Sequence, residues 1–208
     1  MRLTGWSRFA LIALAALAMV AGVTLPAAAQ FGPTQPGGVI ASTSGSGSVN
    51  ASTQVATAQT FLTHTVATSL VTRQPIRIKS VGYLATALSS PGTFSVTVAV
   101  GGVSLTPVSA VTLTAGMLNT PYTLACDLVP TTASTASTWG LAVELVCNFS
   151  YRSAGADGAA STVLQYIRRT TGTLSATPTQ AITATVTFSD TGISTGLVAQ
   201  HNRIVAGN

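Results

Sequence analysis

The sequence predicts an all-β domain: an antiparallel two-sheet β-sandwich, jelly-roll-like, of about nine or ten strands. Three observations carry this expectation. From residue 58 onward the chain consists of short runs rich in Val, Thr and Ile, and in the clearest of these, "TFSVTVAV", apolar and hydroxyl residues alternate strictly. Turn residues separate the runs: Pro91-Gly92, Gly101-Gly102, Asn119-Thr120-Pro121, Asp157-Gly158 and Asp190-Thr191-Gly192. No amphipathic helical repeat of ten or more residues interrupts them.

The chain begins differently. Arg2 and Arg8 form a basic start, an apolar run follows from Phe9, and Pro26 breaks it before Ala27-Ala28-Ala29. Residues 1–29 therefore read as a secretion signal, with cleavage between Ala29 and Gln30. The run is also long enough to span a bilayer if it stayed helical; Pro26 and the small residues favour processing. Export to the periplasm, cell surface or medium is the expected localisation. Residues 30–57 include "FGPTQPGGVIASTSGSGSVNAST", which lacks hydrophobic periodicity and reads as a flexible Gly/Ser/Pro/Thr-rich linker. Residues 58–208 form the sandwich domain.

Within that domain the expected strands are 59–66, 76–86, 93–100, 108–114, 122–129, 139–150, 161–169, 181–189 and 196–205. Phe94, Val96, Val98 and Val100 share the inward parity of theirs. Trp139, Leu141, Val143, Leu145, Cys147 and Phe149 do so in "WGLAVELVCNFS", and Ile182, Ala184, Val186 and Phe188 in "AITATVTFS".

Cys126 and Cys147 both fall on inward parities. A simple hairpin closing Val129 against Trp139 would place Cys126 opposite Ala142, and that register forbids a disulfide. Strands in opposite sheets would allow a bond across the core. An oxidising compartment favours the bond and the hairpin favours two buried thiols, so both alternatives stand at this point. Without a neighbouring His, the pair does not suggest a metal site.

Charge is scarce. The chain carries 9 basic and 4 acidic residues, a formal net charge of +5 that becomes +3 when Arg2 and Arg8 leave with the signal. A high isoelectric point here reflects few acids, not a basic surface, and the only adjacent basic pair is Arg168-Arg169. Nucleic acid is not an expected partner. A surface covered by Ser, Thr, Asn and Gln lacks like-charge repulsion and favours self-association. Few charges guard the strand edges, which argues in the same direction.

The inventory for catalysis is thin. Asp127 and Glu144 sit on outward parities, Asp157 and Asp190 lie in turns, and His64 and His201 lack any flanking motif. No catalytic, cofactor-binding or metal-binding residue is assigned, and no enzyme is expected. Trp139 reads as core. Among Tyr83, Tyr122, Tyr151 and Tyr166, some are candidates for an outer binding surface. Asn50 and Asn148 match a glycosylation sequon by chance.

In order, "TFLTHTVATSLVTRQPIRIKSVGYLAT", "SPGTFSVTVAVGGVSL" and "LTAGMLNTPYTLACDLV" resemble phage and prophage virion β-sandwich proteins of the tail-fibre, spike or head-decoration kind. The resemblance covers about residues 59–205 and lies in strand and turn signals. It implies a non-enzymatic jelly roll, commonly a homotrimer, that builds a virion or attaches it to a host surface. It transfers no binding residues. Virion proteins usually lack a secretion signal, so the alternative is a secreted adhesin, filament subunit or carbohydrate-binding module whose partner is a cell-surface glycan.

Overall fold

Alternation with a period of two gives every strand one face for the core and one for water, and the computed structural model shows where those faces meet. It describes residues 39–50, as backbone, and residues 57–132, 140–153, 162–189 and 195–207. The elements are β1 (Val39–Asn50), β2 (Gln59–Ala67), a single helical turn α1 (Thr68–Val71), β3 (Ile76–Ala85), β4 (Thr93–Val100), β5 (Val103–Thr112), β6 (Thr120–Pro130), β7 (Ala142–Ser153), β8 (Thr162–Thr173), β9 (Thr179–Phe188) and β10 (Gly196–Ala206). Residues 1–29, read as a secretion signal, and Gln30, Trp139, Asp157 and Asp190 lie outside the described residues.

Two antiparallel sheets form a sandwich. One runs β1-β10-β3-β6-β7-β8 and the other β2-β9-β4-β5. With the β7–β8 hairpin set aside, eight strands remain. The first, eighth, third and sixth form one sheet, and the second, seventh, fourth and fifth form the other. This is the interleaved order of a jelly roll. The β7–β8 hairpin is inserted between its sixth and seventh strands and widens one sheet.

The inward parities fill the space between the sheets. Phe94, Val96, Val98 and Val100 of β4 and Ile182, Ala184, Val186 and Phe188 of β9 are buried. They face Ile76, Ile78 and Leu84 of β3, Leu124 and Leu128 of β6, and Val143, Leu145 and Phe149 of β7, all without exposed surface. Phe94 anchors an aromatic group, edge-on to Tyr151 at 5.6 Å and stacked near Phe188 at 6.5 Å. Tyr122 stacks on Phe149 at 5.6 Å. Each such pair contributes about 0.5–1.5 kcal/mol beyond its area of burial.

Two expectations from the sequence are corrected. Residues 39–50, assigned to the linker, form β1 and pair with β10 from Val39↔Val205 to Asn50↔Gly196. Backbone hydrogen bonds satisfy this ladder whatever the side chains; a Gly- and Ser-rich edge strand shows no apolar period, so composition hid it. The assumed hairpin register is corrected as well, while the bonded alternative for Cys126 and Cys147 holds. The two strands have neither that register nor places in opposite sheets. The cysteines pair directly across β6 and β7, bonded, with Cα atoms 4.1 Å apart. The β6–β7 ladder ends at Pro130↔Val143 and sets Val129 against Glu144 rather than Trp139. The connection is longer than the simple hairpin assumed, and the register slides accordingly.

A third difference is in β5, which starts at Val103 rather than near 108. Pro107 and Val108 are buried in succession, and the β4–β5 register shifts on both sides of Val96. An irregularity of this kind reverses the parity along a strand and conceals it from a period-of-two reading.

Loop closure over 21 residues makes the Cys126–Cys147 bond a stabiliser of about 3 kcal/mol. A Cys126→Ala/Cys147→Ala variant is expected to lose that amount in urea unfolding, lowering the melting midpoint by roughly 6–12 °C. An unchanged midpoint would show that the bond adds nothing to the ladder around it.

The buried tyrosines give a second expectation. Burial pushes the Tyr122 hydroxyl up to about 12 from its ordinary 10, opposed by its 3.0 Å hydrogen bond with Ser80. Tyr151 is raised too, first by burial and then by the neighbouring Tyr166 phenol. The native state thus holds these protons more tightly than the unfolded chain. Stability is intact below about pH 10 and declines as pH rises from there through about 12. Tyr122→Phe should cost about 1–2 kcal/mol by stranding Ser80, whereas Tyr151→Phe should be neutral or stabilising, because its hydroxyl is buried without a partner. Urea titrations at pH 7 and pH 11 measure both effects; equal losses in the two variants would contradict the hydrogen-bond assignment.

Candidate functional site

The outward parities make two unlike surfaces. The six-stranded sheet presents Arg77 and Lys79 on β3, Asp127 on β6, Glu144 and Arg152 on β7, Arg169 on β8 and Arg203 on β10. Two opposite-charge pairs form across neighbouring strands: Arg77 Nε donates to Asp127 Oδ1 at 2.8 Å, and Arg169 Nη1 lies 3.7 Å from Glu144 Oε1. Both pairs are open to solvent and add little stability. Alternation sends Arg168 and Arg169 to opposite sides of β8: Arg168 stands opposite the inward Cys147, and Arg169 opposite Val146.

The four-stranded sheet carries no Asp, Glu, Lys or Arg in any of its strands. Its outer face is built from Thr63 and Thr65 on β2, Thr183, Thr185 and Thr187 on β9, Ser95 and Thr97 on β4, and Ser104 and Thr106 on β5. Register brings these side chains into rows, with Thr63 opposite Thr183, Thr97 opposite Thr185, and Ser95 opposite Thr187. Thr97 and Thr106 share a hydroxyl–hydroxyl hydrogen bond of 2.9 Å, and the Ala110 N–H donates to Ser95 Oγ at 2.8 Å.

At one end of this face the threonines give way to Ala99, Gly101, Gly102 and Ala181, and the missing bulk leaves an open cleft of about 480 Å³. Thr65, Ser175, Thr177, Thr179 and Thr183 surround it, with Gln180 among its lining residues. Gln180 is only 1% exposed. Its orientation is dictated by its neighbours. The Thr68 hydroxyl donates its proton to the Thr177 carbonyl at 2.5 Å, so Thr68 Oγ1 can only accept from Gln180. Gln180 Nε2 accordingly donates to Thr68 Oγ1 at 2.8 Å and to the Ser175 carbonyl at 2.8 Å. Its Oε1 is turned toward Gly101 and has no hydrogen-bond partner.

Gly101 is required there for two reasons. Its φ of +53° belongs to the left-handed region, and a Cβ would fall 1.6 Å from Gln180 Oε1. The Gly101 N–H donates to the Ala181 carbonyl, while its own carbonyl accepts from the Ser175 N–H at 2.8 Å and the Ser175 hydroxyl at 3.0 Å. The β4–β5 turn, the β8–β9 connection and β9 are thus locked together around one amide.

The other sequence candidates do not converge. His64 is half-buried on β2 of one sheet, and His201 lies at a register shift of β10 in the other. Among the described residues no three His, Cys, Asp or Glu side chains gather where they could hold a metal ion. Tyr122 and Tyr151 are core residues, and Tyr166 stacks on Tyr151 at 6.4 Å. Tyr83 is the exposed one of the four. Among the described residues no helix is long and apolar enough to cross a membrane.

Sequence reasoning passed over Gln180, though a signal was present. It shares the inward parity of Ile182, Ala184, Val186 and Phe188, where a polar side chain needs a buried partner. Gly101→Ala is expected to cost about 1–3 kcal/mol in chemical denaturation, since it strains the turn and displaces the Gln180 amide. Gly102→Ala at φ +97°, where a Cβ meets only the Ser175 hydroxyl at 3.2 Å, isolates the backbone part of that cost. Equal losses in the two variants would deny the Gln180 contact any role.

No protein-family model, curated protein or solved structure matches this chain.

Proposed function

We propose that this chain is a non-catalytic structural or attachment module of an exported assembly, comparable in build to the fibre, spike and decoration domains of phage virions. The observation that supports the reading is the charge-free outer face of the four-stranded sheet. Burying a surface of methyl and hydroxyl groups against a second such surface incurs no like-charge repulsion and no desolvation of ions. The partner on this reading is another copy of the chain, in a homo-oligomer with the trimer as the expected form.

Contact through the face also suits the edges. Pro107 and the register shifts interrupt the ladder of β5, and the exposed Arg168 points inward from β8. Both are devices that discourage edge-to-edge pairing. Exposed edges are therefore a poorer reason for assembly than charge scarcity alone suggested, and the face carries the argument. A virion location applies if the chain is phage-borne; a secreted adhesin or filament subunit would use the same face on a cell surface.

Sedimentation velocity of the full chain and of a Thr97→Lys/Thr185→Lys variant tests the reading. The expected result is a wild-type oligomer at micromolar concentration and a variant that sediments as a monomer with an unchanged melting midpoint. A wild-type monomer throughout, or an oligomer untouched by two added charges, would overturn it.

A further inference from the structure

We infer that the cleft at the end of the four-stranded sheet is a binding site for a neutral saccharide. The inference does not rest on self-assembly, because one copy of the chain supplies the whole cleft. About 480 Å³ is ample for one or two sugar rings and lies within the usual size of ligand sites, roughly 300–1,000 Å³.

The chemistry of the lining selects the class. Among the described residues no ionised side chain lines the cleft, so a phosphate, carboxylate or ammonium group would shed water there without gaining a counter-charge from them. A purely apolar ligand would strand the hydroxyls of the rim. The hydroxyls of Thr65, Thr179 and Thr183 make no hydrogen bond to other described residues, so each can both donate to and accept from a ligand. Between them, Ala99, Ala181 and the glycine α-carbons form a small apolar floor. Hydroxyls around a patch of C–H groups complement a pyranose, which has polar edges and C–H faces.

Gln180 is an independent observation. Its Nε2 is committed to Thr68 and Ser175, while Oε1 stays buried without a donor. A buried acceptor left unpaired in this way needs a physical account. It lies against Gly101, one of two adjacent glycines in the lining where the chain offers no side chain as cover. A ligand hydroxyl passing the bare Cα of Gly101 reaches this acceptor only if the amide loosens its 2.8 Å bonds to Thr68 Oγ1 and the Ser175 carbonyl, so the hydroxyls of Thr65, Thr179 and Thr183 are the primary contacts and Gln180 a secondary one. Gln180 is thus a positioning residue, holding in place the Ser175–Thr179 connection that carries part of the rim.

The test is a backbone-amide NMR titration of the full chain with maltotriose, cellotriose and triacetylchitotriose, using sialyllactose as a charged control. At least one neutral trisaccharide should shift the amides of Gly101, Gly102 and Thr179–Thr183 in a saturable manner. A Thr179→Val/Thr183→Val variant, altered only at exposed or half-exposed positions, should weaken that binding at least tenfold with no change in melting midpoint. Binding should persist in the Thr97→Lys/Thr185→Lys variant, which separates this site from self-association. No shift with any neutral probe, shifts elsewhere on the protein, preference for sialyllactose, or full affinity in the valine variant would each overturn the inference.

Discussion

Register is the constraint on which everything else in this sandwich depends. A strand that slips by one residue turns its whole buried set to water, and β6 and β7 are paired here in an unbroken ladder within the larger sheet. The pairing runs without a shift from Tyr122↔Tyr151 to Pro130↔Val143, and the disulfide joins the two strands at Cys126↔Cys147, midway along. The covalent tie and the side-chain packing enforce the same answer. Leu124↔Phe149 and Leu128↔Leu145 are buried two residues to either side of it. β3 pairs with the other side of β6, again without a shift, from Ile76↔Leu128 to Leu84↔Thr120. The bulges lie in β1, β2, β5 and β10, away from this rigid centre.

A fixed register also decides what the surface can be. Since β6 and β7 hold their parity, Asp127 and Glu144 must face outward, where Arg77 and Arg169 meet them from adjacent strands. The ionised groups of the strands thus collect on the six-stranded sheet, and the four-stranded sheet is left with threonine and serine. An even scatter of the same few charges would have given two ordinary solvated faces. Segregation gives one face that water holds well and one that can exchange water for another uncharged surface at low cost.

What was legible in the sequence follows from the same physics. Strands with strict alternation, β4, β7 and β9 above all, show their inward residues directly, because burial on one face imposes a period of two. The jelly-roll order was legible only as a class; strand pairing across the sandwich is set by long-range contacts that leave no local mark. β1 escaped notice because an edge strand held by its backbone needs no apolar side chains. The start of β5 escaped because Pro107 and Val108 break the alternation. The choice between a bond and two thiols stayed open because hairpin arithmetic depends on loop length, and β7 begins only at Ala142, later than the assumed turn allows. The cleft had one visible trace, a glutamine in an otherwise apolar row, and its glycine partner read only as a turn.

That corner shows how a β-sandwich can carry a specific polar arrangement without charged residues. Thr68 begins the helical turn α1, and its N–H donates to the Pro178 carbonyl at 2.9 Å while its hydroxyl donates to Thr177. Gln180 must then donate to Thr68, which fixes the amide and forces Oε1 over Gly101. Each bond in the chain removes a choice from the next, so three segments far apart in sequence share one geometry. A buried network of this kind is stable only when its donors are accounted for in full. Here every donor of the Gln180 amide side is aimed at a fixed acceptor, and the single open position is an acceptor that lies behind Gly101. Ionised groups would have held such a corner with more force and less direction; neutral groups hold it by geometry alone, and geometry is what a neutral ligand reads.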